Sequence, residues 1–264
     1  MPDRRCVFLA VDGMKYLDDA LRLIESVAKG PMEPFLAGIK LNDALHAKWG
    51  GQALIDRLYS EWPHLILFAD LKTFDVKSTV VNTLMHYRRD QRRLIVTVSV
   101  HCSADTFFAL QAEIPELKVA VMGVPTDMSK RDCVNTYGGF PDVVMKVWLT
   151  EREEQYSLLA EKAEHRPNGD HLASCAIASY DMIEMLKDSF PWLRLITPGI
   201  RDLWMLGNLA GQKRTAGCVD ALEAGACYIV LGNQLTKGDP DNGISAEYSQ
   251  ILTADTLSSY FRFK

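Results

Sequence analysis

The sequence predicts an α/β protein, a (β/α)8 TIM barrel in which all 264 residues form one domain, 1–264. Eight short apolar runs alternate with segments of helical periodicity at about 30 residues per repeat, which is the period of βα units. The competing interpretation is a doubly wound open sheet, but no G-x-G-x-x-G motif follows the first apolar run. Eight regular repeats in a chain of this length therefore favour the closed barrel.

The first three predicted strands each end in charged side chains. Residues 6–12 form an apolar run that ends at Asp12, and residues 35–40 form a second run that ends at Lys40. A third run, 65–68, is continuous and rich in large apolar side chains, and it leads into Asp70 and Lys72. Apolar residues at helical spacing follow the first strand (Leu17, Ala20, Leu21, Ile24, Ala28) and the second (Leu45, Leu54, Ile55, Leu58).

Five further apolar runs complete the repeat. The fourth ends at His101, and the fifth leads into a loop at 125–129. A long amphipathic segment, 143–163, separates the fifth strand from a weaker sixth and closes in a turn-rich loop. These five predicted strands are 94–100, 119–124, 171–178, 193–201 and 227–233.

The predicted barrel brings the polar residues at the strand ends onto one rim. In such barrels the carboxyl ends of the strands carry the functional side chains. Residues two apart on a strand share a face, so Asp70 and Lys72 are expected side by side, with Asp75 three residues further on. Buried charges are costly unless they pair or take part in chemistry, and a structural ion pair is the alternative interpretation. The rim residues are Asp12, Lys40, Asp70, Lys72, His101, 126–129, Pro198, Gly199, Gly232 and Asn233.

Composition excludes several classes of partner. The formal charge is −5 and the basic residues are scattered, which argues against a nucleic-acid surface. No apolar run approaches the ~18 residues that a membrane span needs, and the N-terminus resembles no signal peptide. The six cysteines include no C-x-x-C pair and are expected to be buried free thiols, as in a reducing compartment. We therefore expect a cytoplasmic protein that binds neither nucleic acid nor membrane.

Two motifs carry a resemblance to a known family. Residues 70–75, D-L-K-T-F-D, resemble the D-x-K-x-x-D signature of the orotidine 5′-phosphate decarboxylase suprafamily. Residues 197–201, T-P-G-I-R, resemble a segment typical of the orotidine 5′-phosphate decarboxylases themselves rather than of their sugar-phosphate relatives. Residues 126–129 resemble the pyrimidine-contacting loop, and residues 211–214 the start of the helix after the phosphate loop. The resemblance extends from about Cys6 to Lys237.

The resemblance implies cofactor-independent, metal-free decarboxylation of orotidine 5′-monophosphate to UMP by a homodimer with shared active sites. Lys40, Asp70, Lys72 and Asp75 would form an alternating array of lysines and carboxylates, with Asp75 donated by the partner subunit. Lys72 would protonate C6 of the pyrimidine. The array sums to zero charge, so it can be buried without an unpaired ion.

Further residues are implied to bind the nucleotide. Asp12 would hold the ribose together with Lys40, and Thr79 would reach the same ribose across the dimer interface. Ser129 would contact the pyrimidine amide, and Gln212 would close over the phosphate. The complete predicted binding set is Asp12, Thr79, Ser129, Pro198, Gly199, Arg201, Gln212, Gly232 and Asn233.

The sequence departs from the family pattern after the eighth strand, where Gly232-Asn233 occupies the place of a usual Gly-Arg pair. Asparagine supplies no charge for a phosphate, so Arg201, Arg214 or Lys237 would have to replace the arginine. Three alternatives remain open. They are a decarboxylase for a different or non-phosphorylated substrate, a magnesium-dependent sugar-phosphate enzyme, and a non-catalytic nucleotide-binding paralogue.

Overall fold

Eight parallel strands close into a barrel in chain order, and the last strand pairs with the first. The computed structural model describes residues 4–14, 16–41, 51–87, 94–115, 117–163, 170–205 and 215–264, with side chains from 55 onward in the second helix. The closed barrel confirms the predicted fold class. The strands are β1 Val7–Ala10, β2 Leu36–Leu41, β3 Ile66–Thr73, β4 Leu94–Ser99, β5 Lys118–Met122, β6 Cys175–Ile177, β7 Arg194–Thr197 and β8 Tyr228–Leu231.

Helices cover the outside of the barrel. The amphipathic segment predicted over 143–163 is the 22-residue helix α6, which begins at Pro141, a residue favoured in the first helical turn. A preceding helix over 130–137 was not predicted. The helices are α1 Leu17–Ala28, α2 Gly51–Glu61, α3 Lys77–Met85, α4 Ala104–Glu113, α5 Lys130–Tyr137, α6 Pro141–Lys162, α7 Ile183–Ser189, α8 Cys218–Ala224, α9 Asn233–Thr236 and α10 Ala246–Arg262.

Several strands are shorter than their apolar runs predicted. The eighth run extends to residue 233, but β8 stops at Leu231, because Gly232 leaves the extended conformation and Asn233 begins α9. The sixth run likewise contributes only the three residues of β6. The ends of these runs form the loops above the barrel, which is where a (β/α)8 protein places its binding groups.

The barrel interior is packed with side chains rather than open. Phe8 lies against Phe68 and Tyr228, with ring centroids 5.5 and 4.9 Å apart. A second apolar layer joins the outer face of the strands to the helices. The interior layer fills the lower barrel, so the polar groups of the strand ends sit above an apolar floor. Its buried members are Phe8, Ala10, Ala37, Phe68, Ile95, Ala120, Cys175, Ile196, Tyr228 and Val230.

All six cysteines are free thiols. Five of them are buried, as predicted, but Cys227 is exposed. The prediction was wrong there because Cys227 precedes β8 at the amino end of the barrel, outside the packed part of its apolar run. Among the helices of the described ranges, none has the length and apolar character to cross a membrane.

Candidate active site

A cavity of about 510 Å³ opens at the carboxyl ends of the strands. It has an apolar floor that includes Phe68, Ile177 and Val230, with charged groups around its wall. Most of the predicted rim residues meet here. The predicted site residues that line it are Asp12, Lys40, Asp70, Lys72, Pro198, Gly199, Arg201 and Gly232.

Four of these side chains form a continuous chain of ion pairs across β1, β2 and β3. The Lys40 ammonium lies 2.9 and 3.1 Å from the carboxylate oxygens of Asp12 and 3.4 Å from Oδ2 of Asp70. The Lys72 ammonium lies 2.9 Å from the same Asp70 oxygen. Lys40 is only 6% exposed, so its charge is balanced by protein carboxylates rather than by water.

Asp70 is the central member of this chain. Burial by itself raises the pKa of its carboxyl group. The opposite effect is larger: the charges of Lys40 and Lys72 and the hydrogen bonds from Lys72 and Thr97 all lower this pKa. The net pKa of Asp70 is therefore below its usual value. Asp70 is therefore ionised at neutral pH. Its carboxylate contacts both ammonium groups and offsets their positive charge.

Thr97 supports the array from β4, and the sequence analysis missed it. Its hydroxyl donates to Oδ1 of Asp70 at 3.1 Å and accepts from the backbone N–H of Lys72 at 2.7 Å. The hydroxyl of Thr73 donates in turn to the Thr97 carbonyl at 2.9 Å. The available signal in the sequence was the position of Thr97 inside the apolar run 94–100, because a hydroxyl expected to be buried needs a hydrogen-bond partner.

Lys72 has an unusual backbone conformation, with φ at +50°. The pairing of β3 with β4 is irregular between Ala69 and Thr73, so the strand does not continue as a regular extended ribbon. A non-glycine residue in this region costs on the order of 1–3 kcal/mol, and such strain is typical of functional sites. The bond from Lys72 N–H to Thr97 holds this conformation in place.

Asp75 and Thr79 lie outside the cavity of their own chain. Both are exposed, and the Asp75 carboxylate accepts the N–H of Val76 at 2.6 Å. The flanking side chains of Phe74 and Val76 are 66% and 65% exposed. The predicted contribution of Asp75 and Thr79 to a partner's site stays a prediction.

His101 lies near this surface rather than among the cavity-lining residues. Its ring is 4.3 Å from Trp148 and 6.3 Å from Phe74. Partial burial and the charge of Arg152 lower the pKa of His101, so the ring is neutral at pH 7. His101 therefore packs among aromatic side chains, and none of the hydrogen bonds described above joins it to the ion-pair chain.

The loop after β5 meets the cavity through residues other than Ser129. Thr126 and Asp127 line the cavity. Ser129 is the N-cap of α5, where its hydroxyl accepts the Asp132 N–H at 3.1 Å and donates to the Asp132 carboxylate at 2.6 Å. This capping box satisfies the first turn of the helix. The predicted contact between Ser129 and a pyrimidine is untested.

On the part of the cavity wall formed by the loop after β7, Arg201 supplies a cation. Arg201 lines the cavity and is 8% exposed, and burial lowers the pKa of its guanidinium without making it neutral. Gly199 beside it has φ of +78°, a conformation that favours glycine. Lys237 is exposed and does not line the cavity, and Asn233 begins α9 just behind Gly232. Gln212 and Arg214 lie outside the described residues.

Nowhere in the described ranges do three or more His, Cys, Asp or Glu side chains come together in an arrangement able to hold a metal ion. Two carboxylates of the cavity wall pair with a lysine. Asp12 and Asp70 both bond to Lys40.

Curated proteins of known name are similar to this chain over most of its length. No protein-family model matches the chain. Orotidine 5′-phosphate decarboxylase of Prochlorococcus marinus is 26% identical over 249 residues, which cover 93% of this chain and 96% of that protein. The protein of the same name from Hydrogenovibrio crunogenus is 27% identical over 217 residues, covering 79% and 82% of the two chains.

Solved structures show the same fold at lower identity. Orotidine 5′-monophosphate decarboxylase from Methanocaldococcus jannaschii, complexed with the inhibitor BMP, superposes with a TM-score of 0.63 at 16% identity, covering 96% of this chain and 98% of that one. The 3-keto-L-gulonate-6-phosphate decarboxylase of Vibrio cholerae superposes with a TM-score of 0.57 at 13% identity, covering 97% and 98%. These likenesses establish the architecture.

The closed barrel and the lysine–aspartate chain on its rim define a (β/α)8 protein with a charged cavity at the carboxyl ends of its strands. In sequence, the chain is similar to curated orotidine 5′-phosphate decarboxylases over most of its length. The resemblance predicted from the two sequence motifs is confirmed.

Proposed function

We propose that the protein decarboxylates orotidine 5′-monophosphate to UMP without a cofactor, and that Lys72 is the proton donor. The observation that carries this proposal is the position of Asp70 on the cavity rim, bonded to the ammonium groups of both Lys40 and Lys72. The decarboxylase names of the homologues support the same reaction type.

The chemistry asks for electrostatic stabilisation at one atom. Cleavage of the bond between C6 and the carboxylate releases CO2 and leaves the electron pair on C6, in the ring plane, where the π system cannot accept it. A fixed ammonium placed at that atom lowers the energy of the developing charge, since the group is oriented before the reaction begins. Lys72 then transfers its proton to C6, and solvent restores the proton to the amine.

Asp70 has two roles in this scheme. It holds the Lys72 ammonium at 2.9 Å, in position to give its proton to C6. It also lies where it faces the substrate carboxylate, and the repulsion between the two anions is relieved as CO2 leaves. Lys40 and Asp12, bonded at 2.9 Å, bind the ribose hydroxyls from the neighbouring strands.

Arg201 replaces the absent arginine as the phosphate ligand in this proposal. Among the described residues that line the cavity it is the only arginine, and Gly199 and Gly232 line it as well. Glycines let backbone N–H groups approach a phosphate closely, and a guanidinium binds two of its oxygens at once. The loop with Gln212 would add its predicted contact from outside the described residues.

A homodimer completes the site. An aromatic cluster links the exposed Phe74 and His101 to Trp148 and Tyr137 through ring separations of 6.3, 4.3 and 4.9 Å. An exposed apolar surface of this kind is typical of protein interfaces. A second subunit packed on it would bring Asp75 and Thr79 to the neighbouring cavity, as the family resemblance implies.

The direct test follows ultraviolet absorbance of orotidine 5′-monophosphate in EDTA, with orotidine in parallel. We expect rapid turnover of the phosphorylated substrate, resistant to the chelator, and much slower turnover of orotidine. Loss of activity in EDTA would favour the magnesium-dependent sugar-phosphate alternative. No turnover of either compound would contradict the proposal and favour a nucleotide-binding protein without this activity.

Asn233 favours a second candidate, decarboxylation of a non-phosphorylated or differently substituted substrate. The side chain of Asn233 is neutral, so it attracts the phosphate dianion of a substrate less strongly than an arginine at this position would. Equal values of kcat/KM for orotidine and its 5′-phosphate would support this candidate and exclude a phosphate site at Arg201.

The Asn233→Arg variant adds a positive charge next to Gly232 and so tests whether the phosphate of the substrate binds there. We expect the KM for orotidine 5′-monophosphate to fall about fivefold, since a second guanidinium adds charge-assisted hydrogen bonds, while kcat stays unchanged. Steady-state kinetics with both substrates measure the effect. Thr236→Arg adds the same charge at the far end of α9 and should have no effect; an unchanged KM in the Asn233 variant would show that the phosphate lies elsewhere.

The Thr97→Val variant tests the support of the array. Valine has nearly the same shape but cannot bond Asp70 or the Lys72 N–H, so kcat is expected to fall about tenfold and stability by about 1–2 kcal/mol. Turnover and urea denaturation give the two quantities. Thr106→Val is the control, because Thr106 is also buried but its hydroxyl bonds that of Ser103 at 3.0 Å; an equal loss of kcat there would rule out a specific role for Thr97.

A further inference from the structure

A buried polar network lies next to the cavity wall that carries Arg201, and it involves Gln234, which no step above uses. Gln234 is fully buried at the second position of α9, and Asp202 is 6% exposed directly after Arg201. These two side chains come from the loops after β8 and β7. Their contacts join the two loops behind the wall.

Gln234 bonds Asp202 twice. Its carbonyl oxygen accepts the Asp202 backbone N–H at 3.0 Å, and its amide nitrogen donates to Oδ2 of Asp202 at 2.6 Å. The same nitrogen donates to the Thr253 hydroxyl of α10 at 3.0 Å. One amide therefore fixes both the main chain and the side chain of Asp202 and anchors them to the C-terminal helix.

The other carboxylate oxygen of Asp202 bonds the start of α8. The Cys218 N–H donates to Oδ1 of Asp202 at 2.8 Å, and the Cys218 thiol donates to Oδ2 at 3.0 Å. Burial and the neighbouring carboxylate raise the pKa of this thiol, so it keeps the proton that it donates. Asp202 thus accepts three hydrogen bonds from described residues, and these offset the hydration that a buried carboxylate loses.

These bonds fix the main chain that carries Arg201. The Arg201 N–H donates to the Ala216 carbonyl at 2.8 Å, and the next N–H, of Asp202, is the one bonded by Gln234. The Arg201 guanidinium also donates to the Ile200 carbonyl at 2.6 Å. Consecutive N–H groups with fixed partners leave the backbone at Arg201 little freedom, so its guanidinium is presented to the cavity from a rigid base.

We propose that Gln234 is a positioning residue for the phosphate end of the substrate, because its two bonds to Asp202 hold Arg201 against the cavity wall. This inference rests on the proposed phosphate role of Arg201. It assigns to Gln234 and Asp202 the function of orienting a cation that is itself not on β8. The network therefore accounts for how a chain with Asn233 in place of arginine retains an oriented guanidinium at this wall.

The test compares binding of UMP and uridine to Gln234→Leu by calorimetry, because the two ligands differ only in the phosphate. We expect UMP to bind about tenfold more weakly while uridine binding is unchanged. In turnover, KM for orotidine 5′-monophosphate should rise by a similar factor with kcat within about twofold. Gln250→Leu removes another buried glutamine, whose amide donates to the Leu235 carbonyl instead, and should leave the ratio of UMP to uridine affinity unchanged.

A second variant guards against loss of folding and tests the pairing itself. Gln234→Glu alone sets two carboxylates together and should weaken UMP binding, whereas Gln234→Glu with Asp202→Asn restores a donor opposite an acceptor and should recover most of it. Equal losses for UMP and uridine, or no recovery in the double variant, would show a merely structural role and overturn the inference. Wild-type protein that binds UMP no more tightly than uridine would also overturn it. Failure to decarboxylate, with the UMP-specific loss intact, would refute the proposed reaction alone.

Discussion

Lys72→Ala is expected to lower kcat for orotidine 5′-monophosphate by on the order of 10³-fold or more, because it removes both the ammonium at C6 and the proton donor. The side chain of Lys72 is 52% exposed, so its removal leaves no buried cavity. Asp70 keeps Lys40 and Thr97 as partners. The variant should therefore fold, and its stability should be close to that of the wild type.

Single-turnover and steady-state measurements of the Lys72→Ala variant determine the size of the loss, with circular dichroism as the folding check. Lys29→Ala is a matched control, since Lys29 is also exposed and pairs with a carboxylate, that of Glu25 at 2.6 Å. Lys72→Arg keeps a charge but not a proton donor of suitable pKa, so it should remain severely impaired. A rate within tenfold of wild type in Lys72→Ala would refute the assigned role.

Arg201→Ala is expected to raise KM for orotidine 5′-monophosphate about 100-fold and to leave the kinetics of orotidine unchanged, because a buried guanidinium bonded to a phosphate contributes roughly 1.5–3 kcal/mol. The contrast between the two substrates separates loss of phosphate binding from loss of structure. It also decides whether the missing arginine after β8 has been replaced.

The control for Arg201 is Arg194→Ala. Arg194 begins the same strand, β7, at the opposite end of the barrel, where its guanidinium lies 4.6 Å from the Tyr228 ring centroid. It should affect neither substrate. If orotidine loses as much activity as its phosphate in Arg201→Ala, the arginine is structural; if neither changes, the phosphate is held by other groups of the wall.

Several features of the protein could be predicted from the sequence because they depend on short-range patterns. Buried parallel strands are continuous apolar runs, so eight runs at a regular spacing indicated the closed barrel. Once the strands were placed, the carboxyl ends brought Asp12, Lys40, Asp70 and Lys72 to one rim, where the structure joins them in a single chain of ion pairs.

Other features were decided by the tertiary structure, because they depend on residues far apart in sequence or on local backbone geometry. The contact of Thr97 with Asp70 crosses 27 positions, and the bonds of Gln234 to Asp202 cross 32. Lys72 has a positive φ where the pairing of β3 with β4 is irregular, and this irregularity cannot be predicted from the pattern of apolar residues. Ser129, predicted to contact a pyrimidine, is bonded as a helix cap.

The cavity wall that carries Arg201 shows most clearly which features the sequence determines and which the folded structure determines. The sequence by itself determined that the usual arginine is absent at position 233 and that three other cations were candidates. Only the folded chain showed that Arg201 is buried at the cavity while Lys237 is exposed away from it. Composition and motif fix which charges a protein has, but burial and hydrogen bonding fix which of them can act at a site, and both are properties of the packed structure.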